Sequence, residues 1–206
     1  MIVTISGQSG SGKTTVANLV AERLGIPAVD VGGIFRGLAA KRGLDILEMA
    51  RYAEKHPEID RELDAATIKM CREKKDLVLQ GRLAAWMTRK NGLEAFRVWI
   101  DASPRVRAER IVKREGGDLA KVLAYTNERD AENRRRYLDT YGLDLNDLSV
   151  YDTVIRTDNR SIEQVVSALI RALHKVWPKR PRKPHNPKKK RLSRPSPRPA
   201  PRRARK

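Results

Sequence analysis

A glycine-rich stretch near the start of this 206-residue chain constrains its fold more than any other feature. The stretch reads Gly7-Gln8-Ser9-Gly10-Ser11-Gly12-Lys13-Thr14-Thr15. A short apolar run, Ile2-Val3-Thr4-Ile5, precedes it, and apolar residues at helical spacing follow it. A strand, a glycine loop and a helix in this order are the context that the G-x-x-x-x-G-K-[ST] pattern requires of a phosphate-binding loop.

The residues of this loop suit the binding of a nucleoside triphosphate such as ATP. Glycines allow backbone angles that turn successive N–H groups toward a phosphate chain, and the start of the following helix adds its positive dipole end. We expect Lys13 to lie along the β and γ phosphates. The Thr14 hydroxyl is the expected ligand of Mg²⁺, and Thr15 can reach a further phosphate oxygen.

The remainder of the chain alternates strand and helix patterns, which predicts an α/β fold with a parallel sheet covered on both faces. Strands are expected at residues 2–5, 26–30, 76–80, 96–100 and 152–156. We therefore expect a three-layer sandwich of the P-loop NTPase type, built on a five-stranded parallel sheet, over residues 1–176. The stretch between the second and third strands is longer than a crossover needs and predicts an inserted helical lobe at about residues 34–75.

The net charge of +19 is concentrated at the carboxyl end of the chain. Residues 178–206 hold 14 of the 44 Lys and Arg residues, none of the 25 Asp and Glu residues, and eight prolines. Such a composition predicts a disordered basic tail from residue 177, with possible contact to nucleic acid or ribosomes. Cys71 is the sole cysteine, which excludes an intrachain disulfide and a cysteine metal cluster. With no apolar run long enough to cross a bilayer, we expect a cytoplasmic monomer without membrane contact.

Arginines on separate elements indicate the type of reaction. Phosphoryl transfer between two nucleotides brings two anions together, and fixed positive charge must offset their repulsion. Arg36 follows the second strand and Arg82 the third, and further arginines lie on two charged helices joined at Gly116-Gly117. Those on the two helices are Arg110, Arg114, Arg129 and Arg136. Because their spacing puts them in rows on helix faces, the helices can form a short lid at about residues 110–140.

Several segments together resemble the cytidylate kinases of the archaeal type. The segment Asp30-Val31-Gly32-Gly33-Ile34-Phe35-Arg36 is similar to their D-x-G-x-I-[FY]-R motif, and Val78 to Met87 is similar to their third-strand segment. The sequences Glu128-Arg129-Asp130, Arg136-Tyr137 and Tyr141-Gly142-Leu143-Asp144 also fit that type. The resemblance covers about residues 1–176 and leaves out the tail.

This resemblance implies a nucleoside monophosphate kinase with ATP as donor, CMP or dCMP as acceptor, and Mg²⁺. It implies that the helical lobe binds the monophosphate, with Asp30, Gly32, Arg36 and Arg82 at the acceptor. By the same resemblance, Lys13 and the four arginines of the lid would stabilise the migrating phosphoryl group. Gln80 replaces the acid that many such kinases carry after the third strand, and Asp30 could take its place near the Mg²⁺. Asn133 stands where bacterial cytidylate kinases have an acid, and Gly33 fills a variable position of the motif.

Two alternatives remain open from the residues. The acceptor could instead be AMP, UMP or another small molecule such as shikimate. The chain could also be a nucleic-acid-associated ATPase that uses the basic tail. The informative segments lie in residues 1–176, which favours the kinase.

Overall fold

The computed structural model describes residues 1–178. Apart from residues 177 and 178, the basic tail that we expect to be disordered lies outside the described residues. The strands are β1 (Ile2–Ser6), β2 (Ala28–Asp30), β3 (Leu77–Gln80), β4 (Ala95–Asp101) and β5 (Thr153–Arg156). The helices are α1 (Lys13–Leu24), α2 (Val31–Lys41), α3 (Ile46–Lys55), α4 (Pro57–Lys74), α5 (Ala84–Lys90), α6 (Pro104–Glu115), α7 (Leu119–Tyr141) and α8 (Ile162–Val176).

The five strands form one parallel sheet in the order β2-β3-β1-β4-β5, as the alternating pattern predicts. The central strand β1 and its neighbour β3 are buried along their whole length, which explains why they read as nearly continuous apolar runs. Helices α1 and α8 pack on one face through Val16, Val20 and Leu169, and α4 and α5 contribute Cys71 and Ala84 to the other. The three-layer α/β sandwich is therefore confirmed.

Helices α2, α3 and α4 stand between β2 and β3, where the sequence predicts an inserted lobe. Asp45 begins α3 with a capping box, and Pro57 opens α4 at its first turn. Ala39, Met49 and Ile59 form a small core of their own. We refer to these three helices, residues 31–74, as the lobe.

The segment after β2 is helical from its first residue. The adjacent glycines Gly32 and Gly33 are typical of a loop, yet α2 begins directly at Val31 and already contains Arg36. Glycine usually disfavours a helix. Here a side chain at Gly33 would place its Cβ 2.7 Å from Asp30 Oδ2, so glycine lets the first turn pack closely on the Asp30 carboxylate.

Within residues 1–178 each helix is too short or too polar to span a lipid bilayer.

Candidate active site

The glycine loop leaves β1 at Ser6 and enters α1 at Lys13, at the carboxyl edge of the sheet. Gly10 has a φ of 77°, and a Cβ there would lie 2.6 Å from the carbonyl oxygen of Arg107 in α6. Only glycine allows both this left-handed backbone and this close approach. No side chain in the described part of the chain caps α1, so its first N–H groups are available to an anion. The loop therefore fits the phosphate chain of ATP.

Lys13 lies beneath this loop, with Nζ donating a hydrogen bond to the carbonyl oxygen of Gln8 at 3.1 Å. Desolvation, followed by the positive charges of Arg82 and Arg129, lowers the pKa of Lys13 to about 7. Burial and the neighbouring guanidinium groups both disfavour the charged form of this amine. A bound phosphate would supply a compensating negative charge and favour the ammonium form.

Arg82 and Arg129 face the same space from β3 and α7. Arg82 Nη2 donates to Ser9 Oγ at 2.8 Å and lies 3.6 Å from Asp130 Oδ1. Desolvation and the neighbouring charge of Arg82 lower the pKa of Arg129 to about 10. A cavity of about 210 Å³ opens beside them and is lined in part by Gln8, Arg82 and Asp130. Three cations from three separate elements thus converge on the phosphate loop.

Asp30 and Arg36 form the side of the site that belongs to the lobe. Arg36 Nη2 donates to Asp30 Oδ2 at 2.8 Å, and about half of the Arg36 side chain is exposed. The positive charge of Arg36 also contributes to the lowered pKa of Arg129, which places Arg36 within electrostatic reach of that guanidinium group. Gly32 is adjacent, since a Cβ there would stand 3.3 Å from both Arg36 Nη1 and Asp30 Oδ1.

The residues around Thr14 fit a Mg²⁺ ion that is held mainly by phosphate oxygens. Among residues 1–178, no group of three or more His, Cys, Asp or Glu side chains is arranged to bind a metal. Mg²⁺ commonly needs only one or two protein ligands beside phosphates and water. Thr14 is exposed in the first turn of α1, and Asp30 Oδ1 is buried without a hydrogen-bond partner in the part of the chain that the structure describes. The hydroxyl can bind the ion directly and the carboxylate through water, while Gln80 ends β3 in a buried position.

The remaining arginines of the proposed lid lie in three different environments. Arg110 donates to the carbonyl oxygen of Ser11 at 3.2 Å and to that of Thr157 at 2.8 Å, so it ties the phosphate loop to the segment after β5. Arg114 is mostly exposed and pairs with Glu115. Arg136 is buried against the lobe, with its guanidinium carbon 5.0 Å from the centre of the Phe35 ring. The structure brings together Lys13, Arg36, Arg82 and Arg129, and it places Arg114 and Arg136 in other surroundings.

A buried ion pair that the sequence analysis missed supports the loop. Arg107 in α6 is almost fully buried, and its Nη1 donates to the carbonyl oxygen of Ser9 at 3.1 Å and to Asp130 Oδ2 at 2.6 Å. Because Asp130 also stands beside Arg82, one carboxylate positions two guanidinium groups. The sequence does contain one signal for this role of Arg107, because Arg107 lies three residues before Arg110 and therefore on the same face of the helix.

Ion pairs also join the lobe to α7. Arg51 in α3 contacts Glu132 at 3.1 Å and Glu128 at 3.4 Å, and Arg135 contacts Glu54 at 3.0 Å. Most of these side chains are exposed, and exposed pairs contribute only about 0–1 kcal/mol each. Each exposed pair therefore contributes little to holding the lobe against α7.

The lowered pKa of Lys13 predicts that ATP binding takes up protons. Without an anion, about half of the Lys13 side chains are neutral at pH 7, whereas a bound triphosphate favours the charged form. The affinity for MgATP should therefore fall as the pH rises above 7. Titration calorimetry at pH 8, in two buffers of different ionisation enthalpy, should show an uptake that approaches about one proton per site. The Lys13→Met variant should show none, and a wild-type protein that binds MgATP without proton uptake would contradict the prediction.

The chain is similar to a known protein family over most of its length. Residues 2–159 match the model of a family described as cytidylate kinase-like. A curated protein from Pyrococcus horikoshii named cytidylate kinase is 43% identical over 178 residues, which cover 86% of this chain and 91% of the relative. A curated protein from Archaeoglobus fulgidus, also named cytidylate kinase, is 42% identical over an alignment that covers 84% of this chain and 94% of the relative. Among solved structures, shikimate kinase from Bacteroides thetaiotaomicron superposes with a TM-score of 0.53 at 14% identity, over 85% of this chain and 97% of that one, which supports the fold alone.

Proposed function

The chain belongs to the cytidylate kinase-like family, and we propose that it transfers the γ-phosphoryl group of ATP to CMP or dCMP, giving ADP and CDP or dCDP. The observation that carries the proposal is the convergence of Lys13, Arg82 and Arg129 between the phosphate loop and the lobe. A site that only bound and released a triphosphate would not need so many cations from separate elements. Two facing phosphate groups do need them.

The reaction requires positioning and charge rather than a base. An oxygen of the CMP phosphate attacks the γ phosphorus, and the bond from that phosphorus to the β-phosphate oxygen of ATP breaks. Because the attacking oxygen is already ionised, no proton has to be removed from it. Lys13 and the loop amides hold the donor phosphates, and Arg129 and Arg82 lie where charge develops between donor and acceptor. Mg²⁺, when bound, neutralises charge on the β and γ oxygens, and Thr14 and Asp30 are the residues that would hold it.

The acceptor belongs on the side of the lobe. Arg36 is the exposed cation of that side and is electrostatically coupled to Arg129, so it suits the CMP phosphate. We propose that residues 34–75 close over CMP and that residues 110–140 act as the lid. In the closed state water is excluded, which favours transfer to CMP over hydrolysis. A cytoplasmic location, a monomeric state and a nucleic-acid partner for the tail stay predictions.

A panel of acceptors tests the proposed function. The full-length protein, MgATP and a coupled assay for ADP should be combined with CMP, dCMP, UMP, AMP or shikimate, or with no acceptor. We expect ADP formation to depend on CMP or dCMP and to stay near background without an acceptor. If another acceptor were preferred, the protein would still be a kinase, but its substrate would not be CMP or dCMP.

The same assay distinguishes the kinase from a nucleic-acid-associated ATPase. A nucleic-acid-associated ATPase would form ADP without any small acceptor, and RNA would stimulate it. Removal of residues 178–206 would abolish that stimulation. For the kinase we expect CMP-dependent turnover to persist in the shortened chain, because the described site residues all lie before residue 158.

A further inference from the structure

A second pair of charged side chains lies buried between the lobe and α7, away from the phosphate loop. Asp60 in α4 and Arg136 in α7 are 5% and 2% exposed. Asp60 Oδ2 and Arg136 Nε stand 3.6 Å apart, too far for a hydrogen bond. Within residues 1–178 neither of these atoms, nor Arg136 Nη1, has a hydrogen-bond partner.

Such a pair is unfavourable unless something else satisfies it. Buried polar atoms in folded proteins nearly always have partners, and a buried ion pair offsets the loss of hydration only when its geometry is good. A carboxylate one helical turn further along α4 shows the contrast, because Asp64 accepts a hydrogen bond from the hydroxyl of Tyr141. Asp60 and Arg136 thus retain one free acceptor and two free donor atoms.

The pair also stands at a suitable distance from the phosphate site. Arg129 and Arg136 are seven residues apart on α7, which corresponds to about 10 Å at 1.5 Å per residue. Phe35, on which the Arg136 guanidinium packs, directly precedes Arg36 in α2. A nucleotide whose phosphate lies between Arg36 and Arg129 would extend along α7 toward this pair.

We infer that Asp60 and Arg136 read the base of the acceptor nucleotide and so select cytosine. The inference rests on the proposed function and adds the residues that determine its specificity. The Asp60 carboxylate accepts from the N4 amino group of cytosine, a pairing that carboxylates commonly make. Arg136 donates to the acceptor atoms beside that amino group. Uracil has a carbonyl oxygen in place of the amino group, so the carboxylate repels it.

The base reaches the pair when the lobe opens. In the structure, α4 and α7 are in contact, and both side chains are sealed from solvent. Opening breaks the exposed pairs of Arg51 and Arg135, which are individually weak. It also breaks the contact of Arg136 with Phe35 and the hydrogen bond from Tyr141 to Asp64, so the bound nucleotide has to offset the loss of these buried contacts. The unmet hydrogen bonds of Asp60 and Arg136 lower the stability of the sealed state relative to the state that contains the base.

The test compares kcat/KM for CMP and UMP in the wild-type protein and in Asp60→Asn. An asparagine has nearly the same size, and its amide can donate to the uracil oxygen. We expect the ratio of the CMP value to the UMP value to fall by about 10-fold to 100-fold, in line with the discrimination provided by a good base contact. The control is Asp64→Asn, which removes a carboxylate one helical turn away and should leave the ratio unchanged.

The outcomes separate the inference from the function on which it rests. If Asp60 merely fastened α4 to α7, Asp60→Asn would lower both kcat/KM values together and keep their ratio, which overturns the inference. A wild-type protein with no CMP-dependent turnover would instead overturn the proposed function. Should Asp60→Asn fail to fold, Arg136→Lys provides the second test. It should raise the KM for CMP at least about tenfold while leaving the KM for ATP unchanged, and equal changes in both would also overturn the inference.

Discussion

Replacing Lys13 with methionine lowers kcat for CMP-dependent ADP formation by roughly a thousandfold. The ammonium group contacts the phosphate loop at the carbonyl oxygen of Gln8, and the charge that it offsets grows as the γ-phosphoryl group leaves ATP. Methionine fills the same space without the charge, so the loop keeps its shape. The measurement is kcat at saturating MgATP and CMP, in the coupled assay for ADP.

Stability provides the control for this variant. The pKa of Lys13 is lower in the folded protein than in the unfolded chain, so the folded state binds the proton less well than the unfolded chain does. The charge therefore destabilises the fold at every pH below about 10, and this penalty becomes smaller as the pH rises through the range between the two pKa values. Lys13→Met should unfold in urea at a concentration no lower than the wild type does at pH 7. A variant that keeps near-normal CMP-dependent turnover would remove Lys13 from the mechanism.

Replacing Arg107 with leucine lowers the free energy of unfolding by about 3–5 kcal/mol. The change leaves Asp130 as a buried carboxylate without its closest partner, and it removes the hydrogen bond to the carbonyl oxygen of Ser9. The phosphate loop and Arg82 then lose a common support, so activity should fall as well. Urea unfolding followed by circular dichroism measures the change in stability.

Two variants show whether the buried ion pair is the cause. Arg105→Leu removes an exposed arginine of the same helix, which pairs with Glu109 four residues further along. This variant should change the free energy of unfolding by less than about 1 kcal/mol. The double variant Arg107→Leu/Asp130→Leu should recover part of the loss, because the Asp130 carboxylate is no longer left without its closest partner, while Arg82 keeps its hydrogen bond to Ser9 Oγ. If Arg107→Leu were as stable as Arg105→Leu, the buried pair would not support the loop.

The sheet and its loop were predictable because their signals are local. Buried parallel strands read as short apolar runs, and the loop needs glycine at fixed positions, whatever the rest of the chain does. The helix at α2 was harder to predict, since Gly32 and Gly33 are poor helix formers. The close packing of Gly33 on the Asp30 carboxylate joins this turn to the end of β2, and such a contact cannot be read from helix propensity.

The site was less predictable than the fold, since charge patterns on helices do not say what faces them. Arg129 and Arg136 belong to one row of α7, yet the helix has 23 residues and extends from the phosphate loop to the lobe. One arginine therefore meets Lys13 and Arg82, and the other meets Phe35 and Asp60. The pair of Arg107 and Asp130 joins two helices, so sequence spacing carries little information about it.

Phosphorus NMR of the reaction products tests the central claim most directly. Full-length protein is mixed with MgATP and an equal concentration of CMP, and the ³¹P spectrum is followed to equilibrium. The account predicts that the CMP signal falls while the two signals of CDP appear together with those of ADP, with no more inorganic phosphate than a sample without protein contains. ADP accompanied by an equal amount of inorganic phosphate, with the CMP signal unchanged, would show hydrolysis and contradict transfer between two nucleotides.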